Sequence, residues 1–430
     1  MRRKIAGLPR RIRAGTRSFL CDIRQMRGTN IGIFIMYGLL FDMVNNLWRP
    51  FSVRFLERLG GGEFEIALLS ALPGAVAALV LLPGAVLFRK FTNKKRATAA
   101  FILISRATLL LIAFLPSFPA EMRPLLFVIF VALMNCPDAL SQTSLQSLLG
   151  DIFSGTRRGQ VIALRTKFGQ AIIPFVTISS GLAITFIPNT DEQRMVLYQI
   201  FFIGAFLLGV VEVLIFNSLK VPNNTAKGDE LRPENFSLKK IIFDKKFRTF
   251  FIPAIFFLFT WQAAWPLVNI FMVINRGATE LDLAVVALVM GGTAFFSGGF
   301  WQRLLRKRGN AVIFTGAGFL LAINMFIFPF VPNMQVMAAV HVITGFAAVG
   351  INTALLNGVL ESTPDKDRMM YLAFYNTAQN LSLFAAPFFA HALFSIAGIY
   401  HAMFAIGALR ICSTSFVWLK LRAPGDAPGA

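Results

Sequence analysis

Twelve apolar stretches recur along the chain, parted by short connectors, and every second connector is crowded with Lys and Arg. They occupy residues 29–51, 66–89, 96–116, 123–149, 160–185, 195–219, 248–273, 282–303, 310–331, 335–360, 369–393 and 396–421, numbered spans 1 to 12. About 20 apolar residues in a helix cross a hydrocarbon core roughly 30 Å thick. Lipid offers the backbone no hydrogen-bond partners, so each crossing segment must satisfy its own N–H and C=O groups. The pattern predicts an all-α polytopic membrane protein with twelve transmembrane helices. Its work is then movement across a bilayer or chemistry within one.

Composition agrees: 56% of the 430 residues are hydrophobic and mean hydropathy is +0.65. The net charge of +21 would suit nucleic acid, but its placement points elsewhere. Most of the 42 Lys and Arg lie in the N-terminal arm, the connectors after spans 2, 4, 6, 8 and 10, the C-terminal tail and the helix ends beside them. That bias predicts cytoplasmic termini in a multi-pass protein of the inner (plasma) membrane. The basicity is topological, with attraction to anionic lipid secondary and no nucleic-acid partner. The expected organisation is a basic arm at 1–28, a six-helix bundle at 29–219, a cytoplasmic linker at 220–247, a second bundle at 248–421 and a tail at 422–430. The arm lacks the apolar core of a secretory signal. The end of the linker, Ser237 to Arg248, reads as a surface helix. Cys21, Cys136 and Cys412 are scattered, and His341, His391 and His401 fall near helix ends. No disulfide framework, metal site or cofactor is expected.

The two halves repeat. Trp48 matches Trp265 and Asn45 matches Gln262 at an offset of 217 residues. At the same offset Glu63-Phe64-Glu65-Ile66-Ala67 matches Glu280-Leu281-Asp282-Leu283-Ala284. Gly84 with Arg89 matches Gly298 with Arg303 at 214, and Asp151 with Arg158 matches Glu361 with Arg368 at 210. Six spans per half give both halves the same orientation, related by an axis along the membrane normal.

With these motifs the chain resembles a major facilitator superfamily transporter over residues 29–421. The resemblance rests on the connector from Gly84 to Lys95, on its counterpart from Gly298 to Arg308, and on Gly150-Asp151-Ile152-Phe153-Ser154-Gly155-Thr156-Arg157-Arg158-Gly159. The family's first motif has an acidic residue before the first basic one and a glycine two after it. Here Phe88 and Phe91 stand there, and Gln302 precedes Arg303. The resemblance implies alternating access by two halves that rock around a central site. Read as charges at neighbouring helix ends, Arg89, Asp151, Arg158, Arg303, Glu361 and Arg368 form a candidate cytoplasmic gate. The alternative is surface ion pairs worth about 0–1 kcal/mol each.

Ionisable groups inside a bilayer are costly and point to function. In span 1, Asp42, Asn45, Asn46 and Arg49 fall at i, i+3, i+4 and i+7 on one face. Span 4 carries Asn135, Asp138, Gln142 and Gln146; span 7 carries Gln262, Trp265 and Asn269; span 10 carries Asn352; span 11 carries Tyr375 and Gln379. Polar stripes on spans 1, 4, 7 and 10 suit a water-filled path between two halves, the alternative being interhelical hydrogen bonds of about 0.6 kcal/mol. Trp48, Trp261 and Trp265 are candidates to stack on a substrate or to pack. Arg106 and Arg410 fall mid-span, with Glu212 as a possible partner for Arg106. Arg165 and Lys167 are placed to reach Asp151 or an anionic substrate.

The leading expectation is a secondary active transporter, working as a monomer and not an enzyme, with a small organic molecule as substrate. Protons are the expected coupling ion, exchanged at Asp42 or Asp138. No Walker A signature is present. The run Gly169-Gln170-Ala171-Ile172-Ile173-Pro174 lacks the second glycine of the drug-antiporter signature, so the direction of transport stays open. The alternatives are a lipid or amphiphile translocase of the same fold, a membrane-embedded lipid-modifying enzyme and a transporter-like sensor.

Overall fold

The computed structural model describes residues 29–89, 93–153, 155–221, 238–364 and 368–421. The arm, the tail and residues 222–237 of the linker lie outside the described residues. The described elements are helices, and ten of them are long and apolar enough to cross a membrane. Span 1 is the helix Asn30–Trp48, capped by the Thr29 side chain. It passes through a 3-10 turn, Arg49–Phe51, and continues as Ser52–Arg58. Pro50, which has no N–H to give the ladder, sits in that turn. Spans 2 to 6 are Glu63–Arg89, Lys94–Ala113, Arg123–Ile152, Gly155–Phe186 and Asp191–Asn217. A short helix, Leu238–Phe243, falls in the expected linker. Asp244 then caps span 7, Lys245–Ile270, which ends in a π-helical turn, Phe271–Asn275.

Two helices are 51 residues long as candidate spans, Glu280–Phe330 and Tyr371–Leu421. Each breaks at a glycine with positive φ, Gly309 (φ 76°) and Gly398 (φ 76°), a conformation that residues with a Cβ rarely adopt. Each doubles back there. Trp301 and Ala317 would be about 24 Å apart along a straight helix, yet both lie 2.8 Å from where a Cβ on Gly350 would sit. Ser382 and Arg410 would be about 42 Å apart, yet they bond to Gln262 and Thr260 of span 7. Gly309 falls where the hydropathy parts spans 8 and 9, and Gly398 lies just inside the start of span 12. Span 10 is Met334–Ser362.

The Asn30 amide donates to the Lys220 carbonyl at 2.8 Å and accepts from the Lys220 N–H at 2.9 Å. The start of span 1 and the end of span 6 therefore share one face, here the termini face; the other is the far face. The core divides unevenly between them. Toward the far face one continuous cluster joins both halves, with Trp48, Phe55 and Phe202 packed in the same body as Ile270, Phe271 and Leu283. Toward the termini face the halves keep separate cores. One, with Phe34, Tyr37, Leu149 and Phe216, draws only on residues up to Val221; the other, with Phe247, Phe257, Trp301 and Tyr371, draws only on residues from Ile241 onward.

Candidate functional site

The first half holds a charge network inside its bundle. Arg106 of span 3 and Glu212 of span 6 are 1% and 0% exposed, and Arg106 Nε donates to Glu212 Oε2 at 2.9 Å while Nη2 donates to Oε1 at 3.3 Å. The sequence offered Glu212 as a partner for Arg106, and the geometry makes the pair bidentate. Asp138 of span 4 lies 3.7 Å from Arg106 and 3.9 Å from Arg49. Its Oδ1 is buried without a hydrogen bond. Asp42 pairs with Arg165 of span 5 at 2.8 Å, and Arg165 also reaches the Gly38 carbonyl. Three arginines and three acids therefore link spans 1, 3, 4, 5 and 6. The Phe41 ring faces Arg106 and Arg165 at 5.3 and 5.8 Å.

One partner was not foreseen: Arg165, read as placed to reach Asp151 or an anionic substrate, pairs with Asp42 among the described residues. The glycines explain why. A Cβ on Gly38 would collide with the Arg165 side chain, and one on Gly169 with the Asp42 carboxylate. Each charge thus sits against a glycine of the facing helix, so spans 1 and 5 approach closely enough for a direct pair. Gly209 seats Arg106 in the same way, 2.6 Å from its Cγ were a Cβ present. The glycine-and-charge spacing was in the sequence, but nothing there said which helices face each other.

The candidate amides behave less uniformly. Asn45, Asn46 and Asn135 donate to carbonyls of their own helices, those of Phe41, Asp42 and Val131. Gln142 is half-buried and Asn352 exposed. Gln262 is buried and fixes span 7 to span 11: Ser382 donates to its Oε1 at 2.7 Å, and its Nε2 donates to the Gln379 carbonyl at 3.4 Å. Tyr375 is buried with its hydroxyl unpartnered. Trp48 is packed against Phe202 in the core, whereas its repeat mate Trp265 is 44% exposed. Trp265 and Asn269 line a cavity of about 360 Å³ in the second half, beside Arg410.

The two faces differ in how they are tied. At the far face Glu280, the first residue of span 8, is 1% exposed. Its Oε1 accepts from Arg58 Nε at 2.7 Å and from the Tyr198 hydroxyl at 3.0 Å. Arg58 reaches on to Asp191 at 2.9 Å, and the Leu281 N–H donates to Thr185 at 3.1 Å. Spans 1, 5 and 6 are thereby bonded to span 8 across the halves. The sequence missed this cluster. Glu280 appeared only as the repeat mate of Glu63, which is half-buried, and burial is not written in a repeat. At the termini face Arg303 and Glu361 are exposed and form no ion pair among the described residues. The side chains of Arg89, Asp151, Arg158 and Arg368, like those of Gln146 and Lys167, lie outside the described ones.

Comparison with known proteins places this architecture. The profile of the Major Facilitator Superfamily matches residues 32–387. No curated protein matches in sequence. Among solved structures, the nucleoside transporter NupG is similar with a TM-score of 0.68 and 12% identity, over 91% of this chain and 100% of that one. A POT family transporter in complex with a thioalcohol-conjugated peptide gives 0.69 and 13%, over 90% and 95%. A bacterial homologue of the human lysosomal transporter Spinster, inward-facing and unoccupied, gives 0.65 and 14%, over 91% and 96%.

Proposed function

This chain belongs to the Major Facilitator Superfamily, and from that premise we propose that it carries a small organic solute across the membrane by alternating access. It is a secondary transporter of that superfamily. In our reading twelve crossings form two six-span halves that rock about a central path, in a single copy of the chain surrounded by membrane lipid. The observation that carries the reading is the division of the core: one shared body toward the far face, two separate bodies toward the termini face. A shared core with a buried Arg58–Glu280–Tyr198 cluster supports a closed far side. Separate cores, with Arg303 and Glu361 exposed, support an open termini side. The placement of Lys and Arg makes the termini side cytoplasmic, in an inner or plasma membrane, so this is the inward-open state. The candidate cytoplasmic gate, Arg89, Asp151, Arg158, Arg303, Glu361 and Arg368, would then engage in the opposite state.

Protons are the proposed driving ion. Asp138 is better suited to exchange one than Asp42, because its arginine contacts are long and one oxygen has no hydrogen bond. Asp42 is held at 2.8 Å. The test is uptake into reconstituted vesicles against a panel of nucleosides, peptides and organic acids, with and without an imposed pH gradient. Saturable accumulation driven by the gradient is expected. Asp138→Asn should abolish accumulation while leaving counterflow. Movement of labelled lipid, with no solute moved under any gradient, would replace this reading with a lipid translocase.

A further inference from the structure

Arg410 of span 12 is as buried as Arg106, at 1% exposure, but its surroundings are different. Nη1 donates to the Leu321 carbonyl at 2.9 Å, and Nη2 to the carbonyls of Thr260 at 2.8 Å and Trp261 at 3.5 Å. Nε has no hydrogen-bond partner, and no carboxylate pairs with the guanidinium among the described residues. Neutral carbonyls hold such a group in place without neutralising it, and an unpaired buried charge costs several kcal/mol. Beside it lies the cavity of about 360 Å³, a volume suited to a small molecule. No Asp or Glu lines that cavity. Its polar lining includes Asn324 and Thr344, joined by a hydrogen bond of 2.7 Å, with Asn324 Oδ1 buried and unpartnered. Trp261 and Trp265 supply an aromatic wall, and Pro50 is the one lining residue from the first half.

We propose that this cavity binds a small organic carboxylate, with its anionic group on Arg410 and its apolar body against Trp261 and Trp265. The carboxylate supplies the missing counter-charge through charge-assisted hydrogen bonds. A monoanion fits better than a phosphate, because Arg410 is the only Lys or Arg lining the cavity. The assignment concerns binding, so it stands or falls separately from the transport reading.

The probes are phenylacetate and its neutral isostere phenylacetamide, titrated calorimetrically into the full chain in lipid nanodiscs. Saturable phenylacetate binding is expected, with the amide roughly tenfold weaker or worse for want of the ionic contact. Arg410→Gln should erase the preference and Arg410→Lys should keep part of it. Should the Arg410 variants fail to fold, Ala348→Phe fills the cavity with Arg410 intact and should abolish phenylacetate binding. Equal binding of acid and amide, no phenylacetate binding at millimolar concentration, or undiminished binding in a folded Ala348→Phe variant would overturn the proposal. Counterflow of labelled phenylacetate in vesicles then separates the two sources of such a ligand: exchange marks it as cargo, and binding without exchange marks it as an effector.

Discussion

The two halves treat charge buried in the membrane differently. In the first half each buried charge among the described residues has an opposite within reach: Arg106 with Glu212 and Asp138, Asp138 also with the exposed Arg49, and Asp42 with Arg165. In the second half Arg410 stands among carbonyls beside a cavity. Close pairs such as Arg106–Glu212 and Arg165–Asp42 are a structural solution, because each charge is stabilised by a fixed neighbour. A lone cation beside a void leaves its stabilisation to something that arrives. The repeat in sequence therefore does not extend to the interior electrostatics. The same asymmetry separates Trp48, sealed in the core, from Trp265, which lines the cavity.

Mutations that strand a charge should break the comparison most sharply. Arg106→Met leaves Glu212 buried without its partner and should lower stability by about 3–5 kcal/mol. The double variant Arg106→Met with Glu212→Gln should recover a large part of that loss, because both charges then leave together. Thermal melts in detergent followed by tryptophan fluorescence check both, and additive losses would show that the pair is not coupled. A smaller effect tests the helix approach that makes the network possible. Gly169→Ala pushes against the Asp42 carboxylate and should cost about 1–3 kcal/mol. Gly316→Ala, with open space around it, should cost nothing or stabilise slightly. A small effect is also expected at Arg410. Arg410→Met removes a charge with no ionic partner among the described residues, and the relief offsets the lost hydrogen bonds to carbonyls, so stability should stay within about 1 kcal/mol of the parent. A loss there as large as that of Arg106→Met would mean that Arg410 is structural after all, and that the contrast between the halves is false.

Much of the fold was legible because lipid enforces it. A hydropathy period of about 20 residues placed every span within a few residues of its helix. The two merged helices break at Gly309, where spans 8 and 9 were parted, and at Gly398, just inside the start of span 12. The site was legible only in part. Asp42, Asp138 and Arg49 were found because ionisable residues in apolar stretches stand out. Their partners were not, since Asp42–Arg165 depends on spans 1 and 5 touching at Gly38 and Gly169, a fact of packing. The Asn residues at helical spacing looked like a polar path, but several spend their donors on their own backbone. The gate was sought at the termini face, where Lys and Arg crowd. Among the described residues the bonds between the halves are at the far face, around Glu280, which no charge pattern distinguished from Glu63. Its role follows from burial, and burial depends on where the two halves meet.

In alternating access the two halves rock, with Glu280 as the proposed tie that closes the far face in this state. Electron–electron distance measurements between spin labels test this most directly, in a chain whose native cysteines are replaced. One pair, at Glu192 and Ile396, reports the far face; the other, at Ser218 and Glu361, reports the termini face, and all four sites are exposed. Glu280→Gln should lengthen the first distance and shorten the second, as the far side loosens and the termini side closes. If the far-face distance stays as in the parent, or both distances move the same way, the halves do not rock about a Glu280 tie and the alternating-access account fails.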